Sequence, residues 1–388
     1  MDIDALTAEF HTSIDAIDAL AWDRLVGPRL PHLSHAFLRA AEQSGSVSED
    51  TGWLPCHLTL TSGDDLVAAM PLYQKSHSWG EFIFDWSWAD AYHRSGLAYY
   101  PKLISASPFT PATGSKLLVV DDERSDILRN TLIETAIRFA SSHGFSSLHW
   151  HFLDPADLAV FEGHDETLIR TDCQFHWRNN DYRDFDDMIG AFSSKKRKNV
   201  RRERRRILEQ GITHHIVAGK DITEDELDAA FRLCRNTFLV RGHEPYLNLD
   251  FLKMLLTSQP KALALVLAEK DERPVAAAIL LRGEDTLYGR YWGSEGDFHS
   301  LHFETCYYQG IEYCIREGIT TFEPGTQGEH KVSRGFLPTK THSAHWLAHP
   351  QFADAIADYL QREQRGVETY MQDIDDHSPF RRSDEPPA

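Results

Sequence analysis

Cysteine is scarce and scattered in this chain. Cys56, Cys173, Cys234, Cys306 and Cys314 are odd in number, and no Cys-x-x-Cys pair occurs in the 388 residues. That spacing supports neither a disulfide framework nor a zinc ribbon. No stretch approaches the ~20 apolar residues that cross a bilayer, so no membrane span is expected. The opening Met1-Asp2-Ile3-Asp4 is acidic and lacks the apolar core of a secretory signal; the expected location is cytoplasmic. Gly-x-Ser-x-Gly, His-Glu-x-x-His and P-loop patterns are missing. There are 21 histidines, but His149-x-His151 and His342-x-x-His345 have no third ligand at convincing spacing, so no metal is expected. Positive charge is short overall: 40 basic residues face 59 acidic ones, net −19. That balance argues against coating nucleic acid with the whole surface, but it leaves room for a local dock.

What is present begins with one segment. Nine of the twelve residues 195–206 are Lys or Arg, and one, Glu203, is acidic. Removing those nine basic residues and one acid leaves 31 basic and 58 acidic, net −27. The run reads as helix, because Met188, Ile189, Phe192, Val200, Ile207 and Leu208 recur at roughly helical spacing and Gly211 stands where a helix would stop. Like charges at i,i+4 repel, and a nearby anion would relieve the cost. A solvated face with stems over apolar surface is one reading, and a localisation or heparin-type tract another. The density of Arg forks favours phosphate.

Hydrophobic residues at 41% and aromatics at 11% suffice for a sizeable core, and the length fits two domains. Helices are expected over 17–26, 34–43, 125–143, 185–210, 249–256, 303–317 and 352–372. Another runs from the capping box Thr223-Glu224-Asp225-Glu226 to about Val240. Strands are expected over 55–61, 66–74, 81–88, 117–120, 147–153, 214–218, 262–270, 274–282, 286–293, 320–323 and 343–347. Each half reads as helices, two or three antiparallel strands, a helix and a strand. The expected class is α+β (mixed αβ), with modules at 1–172 and 173–372 and a polar, Pro-rich, disordered tail at 373–388.

Two halves in that order resemble the tandem acyltransferase modules of the FemABX peptidyltransferases, within the GCN5-related N-acetyltransferase (GNAT) superfamily. Residues 82–90, 108–111, 175–179, 193–206 and 323–336 resemble more specifically a bacterial FemAB-like branch. The resemblance covers roughly residues 20 to 350. It implies two GNAT-like modules, each a mostly antiparallel sheet flanked by helices. It also implies aminoacyl or acyl transfer to an amine of a peptide or cell-wall acceptor. In the characterised enzymes aminoacyl-tRNA is the donor, a peptidoglycan precursor the acceptor, and a Lys in a Phe-Lys-x-x-Phe-like element supports the reacting carbonyl. His330-Lys331-Val332-Ser333-Arg334-Gly335-Phe336 looks like that element, with His in place of Phe; Lys331 takes the matching role. No cofactor is implied beyond the donor, aminoacyl-tRNA or acyl-CoA. The implied partners are tRNA and a small-molecule or peptide acceptor.

Acyl transfer needs positioning, a proton acceptor and a positive group at the developing oxyanion. Lys331 suits the oxyanion, His330 or Glu329 the amine proton, and Arg334 completes the candidate catalytic set. The glycines of residues 324–328 allow close backbone approach. Acetyl-CoA enzymes carry a glycine-patterned pyrophosphate turn at a helix start; residues 293–301 and 120–124 are acidic instead. Donor phosphates are therefore assigned to Lys195, Lys196, Arg197, Lys198, Arg201, Arg202 and Arg205. Asp85, Trp86, Trp88, Tyr92, Tyr99 and Tyr100 offer an acceptor surface, or equally a core of aromatics. Two alternatives stand beside this reading: an acyl-CoA-dependent N-acetyltransferase, and a non-catalytic module that binds an anionic polymer.

Overall fold

The computed structural model describes residues 6–296, 298–326 and 328–381. In chain order the first part holds β1 (Leu6–His11), α1 (Ala19–Val26), α2 (His35–Gln43), β2 (Trp53–Pro55), β3 (His57–Ser62), β4 (Asp65–Met70) and β5 (Tyr73–Lys75). It continues with α3 (Trp86–Arg94), β6 (Lys102–Ser105), β7 (Leu118–Val119), α4 (Ser125–Ser142), β8 (Ser147–Trp150) and α5 (Pro155–Glu162). Then follow β9 (Leu168–Arg178), α6 (Phe185–Gly190), α7 (Ser194–Glu209), β10 (Ile212–Ala218), α8 (Glu224–Leu239), α9 (Leu249–Ser258), β11 (Leu263–Lys270), β12 (Arg273–Arg282) and β13 (Thr286–Ser294). Last come α10 (Leu301–Phe303), a π-helical turn (Glu304–Tyr308), α11 (Gln309–Glu317), β14 (Thr321–Glu323), a 3-10 turn (Glu329–Arg334), β15 (Leu337–Leu347) and α12 (Pro350–Asp375). No described helix is long and apolar enough to cross a membrane.

The chain divides into two compact units, residues 1–172 with 340–368 and residues 173–339 with 369–388. The chain re-enters the first unit at Lys340, because β15 runs antiparallel to β8 with His345 opposite His149. In the first unit β1, β3, β4 and β7 form one antiparallel sheet. Beside it β2, β5 and β6 are antiparallel, and β6 pairs parallel with β8. In the second unit β10, β11, β12 and β13 are antiparallel, β13 pairs parallel with β14, and β14 pairs antiparallel with β9. Among the described residues each unit therefore has one parallel pair bridged by a helical crossover, α4 in the first and α10–α11 in the second. This is a mixed α+β architecture, with a largely antiparallel sheet and flanking helices in each unit.

Local chemistry explains most elements. Thr223 and Glu226 close the expected capping box on α8, and Gly318, at φ +69°, ends α11 in the left-handed region. Two readings fail. Residues 81–88 are not a strand: Phe82 sits at φ +61°, and α3 begins at Trp86, burying Trp88 and Tyr92 one turn apart. The helix expected over 185–210 breaks at residues 191–193. There Phe192 turns into the core and bridges Phe380, while the Ser193 N–H donates to the Pro379 carbonyl at 2.8 Å. Tertiary pairing outweighs helical propensity at that point. The same contacts order part of the expected tail, since α12 reaches Asp375; residues 382–388 lie outside the described residues.

Candidate active site

β13 and β14 pair over three residues, from Thr286 opposite Thr321 to Tyr288 opposite Glu323. β14 then ends while β13 continues along β12, so the two strands part at Gly289. A Cβ on Gly289 would lie 3.1 Å from the Cα of Pro324, so glycine permits the approach. A register shift in β12 between Ile279 and Leu280 leaves Arg290 out of the ladder. A cavity of about 80 Å³ opens here, lined by Arg290, Trp292, His302, Cys306, Tyr307 and Pro324 among others.

The 3-10 turn brings the candidate catalytic residues to this place. Lys331 is buried, and its ammonium donates to the Gly325 carbonyl at 2.6 Å. Burial pushes its pKa down to about 8. His330 is exposed and shares a 2.9 Å hydrogen bond with the Tyr307 hydroxyl. Burial, Arg334 and Lys331 hold its pKa below the usual histidine value. His302 stands 5.7 Å from His330, centroid to centroid, and burial drives its pKa down to about 4. Both imidazoles are therefore neutral at neutral pH, and a neutral imidazole can accept a proton. Glu329 is exposed and accepts from the Tyr370 hydroxyl at 3.1 Å. Gln327 of the expected glycine-rich start lies outside the described residues.

Arg334 is committed elsewhere. Its guanidinium donates to the His330 carbonyl at 2.6 Å and to Glu203 at 2.7 Å, and lies 3.3 Å over the Phe303 ring. Glu203, the single acid of the basic run, also accepts from the Tyr308 hydroxyl. The segment with the cations and the segment with Lys331 thus meet directly. The π-helical turn makes this joint, since consecutive residues Tyr307 and Tyr308 reach His330 and Glu203 respectively. Such one-turn insertions are frequent at functional sites.

α7 sorts its charges by face. Val200 and Ile207 are buried, and Glu203 and Arg204 share that side. Arg204 grips Glu304 at 2.9 Å and Glu312 at 2.7 Å. Arg197 donates to the Gly190 carbonyl, Arg201 pairs with Asp186, and Arg202 donates to Asn199. Lys195, Lys196, Lys198 and Arg205 make no hydrogen bond or ion pair among the described residues, and Lys195, Lys198, Arg201, Arg202 and Arg205 are exposed. An open cleft of about 560 Å³ beside Arg201 and Arg205 also carries Asp184 and Asp186.

The expected acceptor residues sit differently in the first unit. Asp85 is buried and accepts from Lys102 and from the Tyr99 hydroxyl at 2.6 Å. Lys102 also donates to Glu81 at 2.7 Å and to Ser78 at 2.8 Å. Burial pushes the Glu81 pKa up to about 7, and that of the buried Lys75 down to about 7. Trp88 packs edge-on against His345, whose Nδ1 lies 2.7 Å from Nδ1 of His149. Tyr92 is buried, and Tyr100 shares a 2.8 Å hydrogen bond with Ser78. Trp86 is exposed, with Trp79 5.3 Å away edge-on. Sequence reasoning missed Lys75, Glu81, Lys102, His302 and Tyr307. Lys75 ends β5 and Lys102 opens β6, outside every strand expected from the sequence, so no local signal marked either.

Residues 13–382 match the FemAB-like family, described as peptidoglycan biosynthesis/recognition. The solved structure of FemX superposes with a TM-score of 0.53 at 12% identity, over 89% of this chain and 99% of that one. The C-terminal domain of a putative lysylphosphatidylglycerol synthetase from Agrobacterium fabrum gives 0.53 at 12%, over 89% and 96%. A conserved protein of unknown function from Bacteroides thetaiotaomicron gives 0.51 at 10%, over 88% and 100%. At these identities the likeness is one of fold. No protein of curated function matches the chain.

Proposed function

The chain belongs to the FemAB-like family, and from that premise we propose that it is a cytoplasmic acyltransferase that moves an aminoacyl group from tRNA to an amine of a peptide or cell-wall acceptor. One observation carries the reading: the 2.7 Å ion pair between Glu203 and Arg334, which ties the cation-bearing helix to the turn that holds Lys331 beside the parted strands. Lys195, Lys198, Arg202 and Arg205 hold donor phosphates from the outer face of α7. The acyl carbonyl lies at the gap between β13 and β14. The acceptor amine attacks it, forming the C–N bond, and the Lys331 ammonium stabilises the oxyanion. Neutral His330 takes the proton the amine loses, and its exposed ring returns it to the leaving hydroxyl as the C–O ester bond breaks. Arg334 positions His330 through its carbonyl.

The test is paired titration with a charged tRNA pool and with coenzyme A. The expected result is saturable tRNA binding that weakens steeply with salt, and none to coenzyme A. Coenzyme A binding without tRNA binding would replace the donor. Tight tRNA binding with no transfer to any amine would favour a recognition module.

A further inference from the structure

Resting on the donor reading above, we propose that Glu203 is a positioning residue, through which occupancy of the outer face of α7 is relayed to the turn that carries His330 and Lys331. α7 is a single helix of 16 residues, so its two faces move together. On the outer face stand the exposed cations; on the inner face Glu203 is the one carboxylate of the run. From Glu203 two contacts lead into the site. One is Arg334, whose guanidinium spans from Glu203 at 2.7 Å to the His330 carbonyl at 2.6 Å. The other is the Tyr308 hydroxyl, on the same π-helical turn as Tyr307, which bonds His330 at 2.9 Å. A shift of α7 toward bound phosphates thus pulls on His330 by two routes, at its carbonyl through Arg334 and at its ring through the Tyr307–Tyr308 turn. The other inner-face charge, Arg204, is held by Glu304 of the same turn and by Glu312, and anchors α7 to the crossover helix.

Electrostatics favours this assignment. The exposed outer-face cations Lys195, Lys198, Arg202 and Arg205 lie on the same helix as Glu203 and offset the attraction between its carboxylate and Arg334. Phosphates on the outer face would neutralise those charges and strengthen the hold on Arg334.

The experiment is hydrogen exchange of residues 328–336, with and without uncharged tRNA, on the full chain, its Glu203→Gln variant and its Glu203→Asp variant. Glu203→Gln removes a negative charge from a cationic helix, so tRNA affinity is kept or raised, and a lost response is not lost binding. The expected result is a tRNA-dependent change in exchange of about twofold to thirtyfold in the wild type, no change in Glu203→Gln, and partial recovery in Glu203→Asp. Equal responses in wild type and Glu203→Gln overturn the proposal and leave Glu203 a structural partner of Arg334. If Glu203→Gln does not fold, Tyr308→Phe and Arg334→Lys cut the two routes separately, and an undiminished response in both likewise overturns it. Absence of tRNA binding by the wild type overturns the donor reading first, and this inference with it.

Discussion

Replacing Lys331 by Met should give a protein that is more stable at neutral pH and nearly inactive. Lys331 is 2% exposed, and burial lowers its pKa from 10.5 to about 8. A lysine with a depressed folded-state value destabilises the fold wherever it is charged in the unfolded chain. The cost is complete below pH 8, shrinks as pH rises, and vanishes above 10.5. At pH 7 the shift corresponds to about 3 kcal/mol. Methionine fills similar volume without charge, but the hydrogen bond to Gly325 is lost and its carbonyl is left bare, at about 1–2 kcal/mol. The net expectation is about 1–2 kcal/mol of added stability at pH 6–7, or roughly 2–4 °C in Tm per kcal/mol, fading toward pH 10. Transfer should fall by about 10²–10³, as when an oxyanion donor is removed. Calorimetry across pH and a single-turnover assay read the two halves. A variant that melts lower than wild type at pH 7, or one that transfers within a few-fold of it, would refute the reasoning.

The transfer rate should follow a bell in pH. Activity rises as His330 loses its proton, below the usual histidine value because burial and two cations lower it, and falls as Lys331 deprotonates near 8; a monotonic profile to pH 9.5 contradicts the roles. Gly293→Ala should destabilise the second unit by more than about 3 kcal/mol, since a Cβ there would lie 1.9 Å from the Leu233 carbonyl oxygen on α8; denaturant melts check it. Arg204→Met should cost about 2–3 kcal/mol by stranding Glu304 and Glu312. Arg205→Ala should leave stability unchanged and reduce the salt slope of tRNA binding by about 1. Exchanged phenotypes would mean the two faces of α7 are assigned the wrong way round.

Elements with local signals were readable from sequence. The apolar stripe of α4, the capping box of α8, the β11–β12 hairpin and the glycine after α11 each follow from chemistry within a few residues. Residues 82–88 misled because alternating aromatics mimic a strand, while the i,i+4 pair Trp88 and Tyr92 pointed to a helix. Lys331 was singled out through family resemblance; the residues that other elements bring around it were not. The Glu203–Arg334 pair spans 131 residues, and no spacing rule reaches that far. The π-helical turn is equally silent, since one inserted residue leaves the apolar period of a helix almost unchanged. The one available hint was Glu203 itself, a single acid in a run of nine cations.

The account depends most on a cationic helix presenting a charged donor to a lysine held in the same unit. Single-turnover transfer of a radiolabelled amino acid, from a charged tRNA pool to a mixture of cell-wall precursor peptides, measures that directly. Label should leave tRNA for an amine with the wild type, slow sharply when Lys195, Lys198, Arg202 and Arg205 are changed together to Gln, and stop with Lys331→Met. Label that moves equally well with all three proteins would contradict the claim.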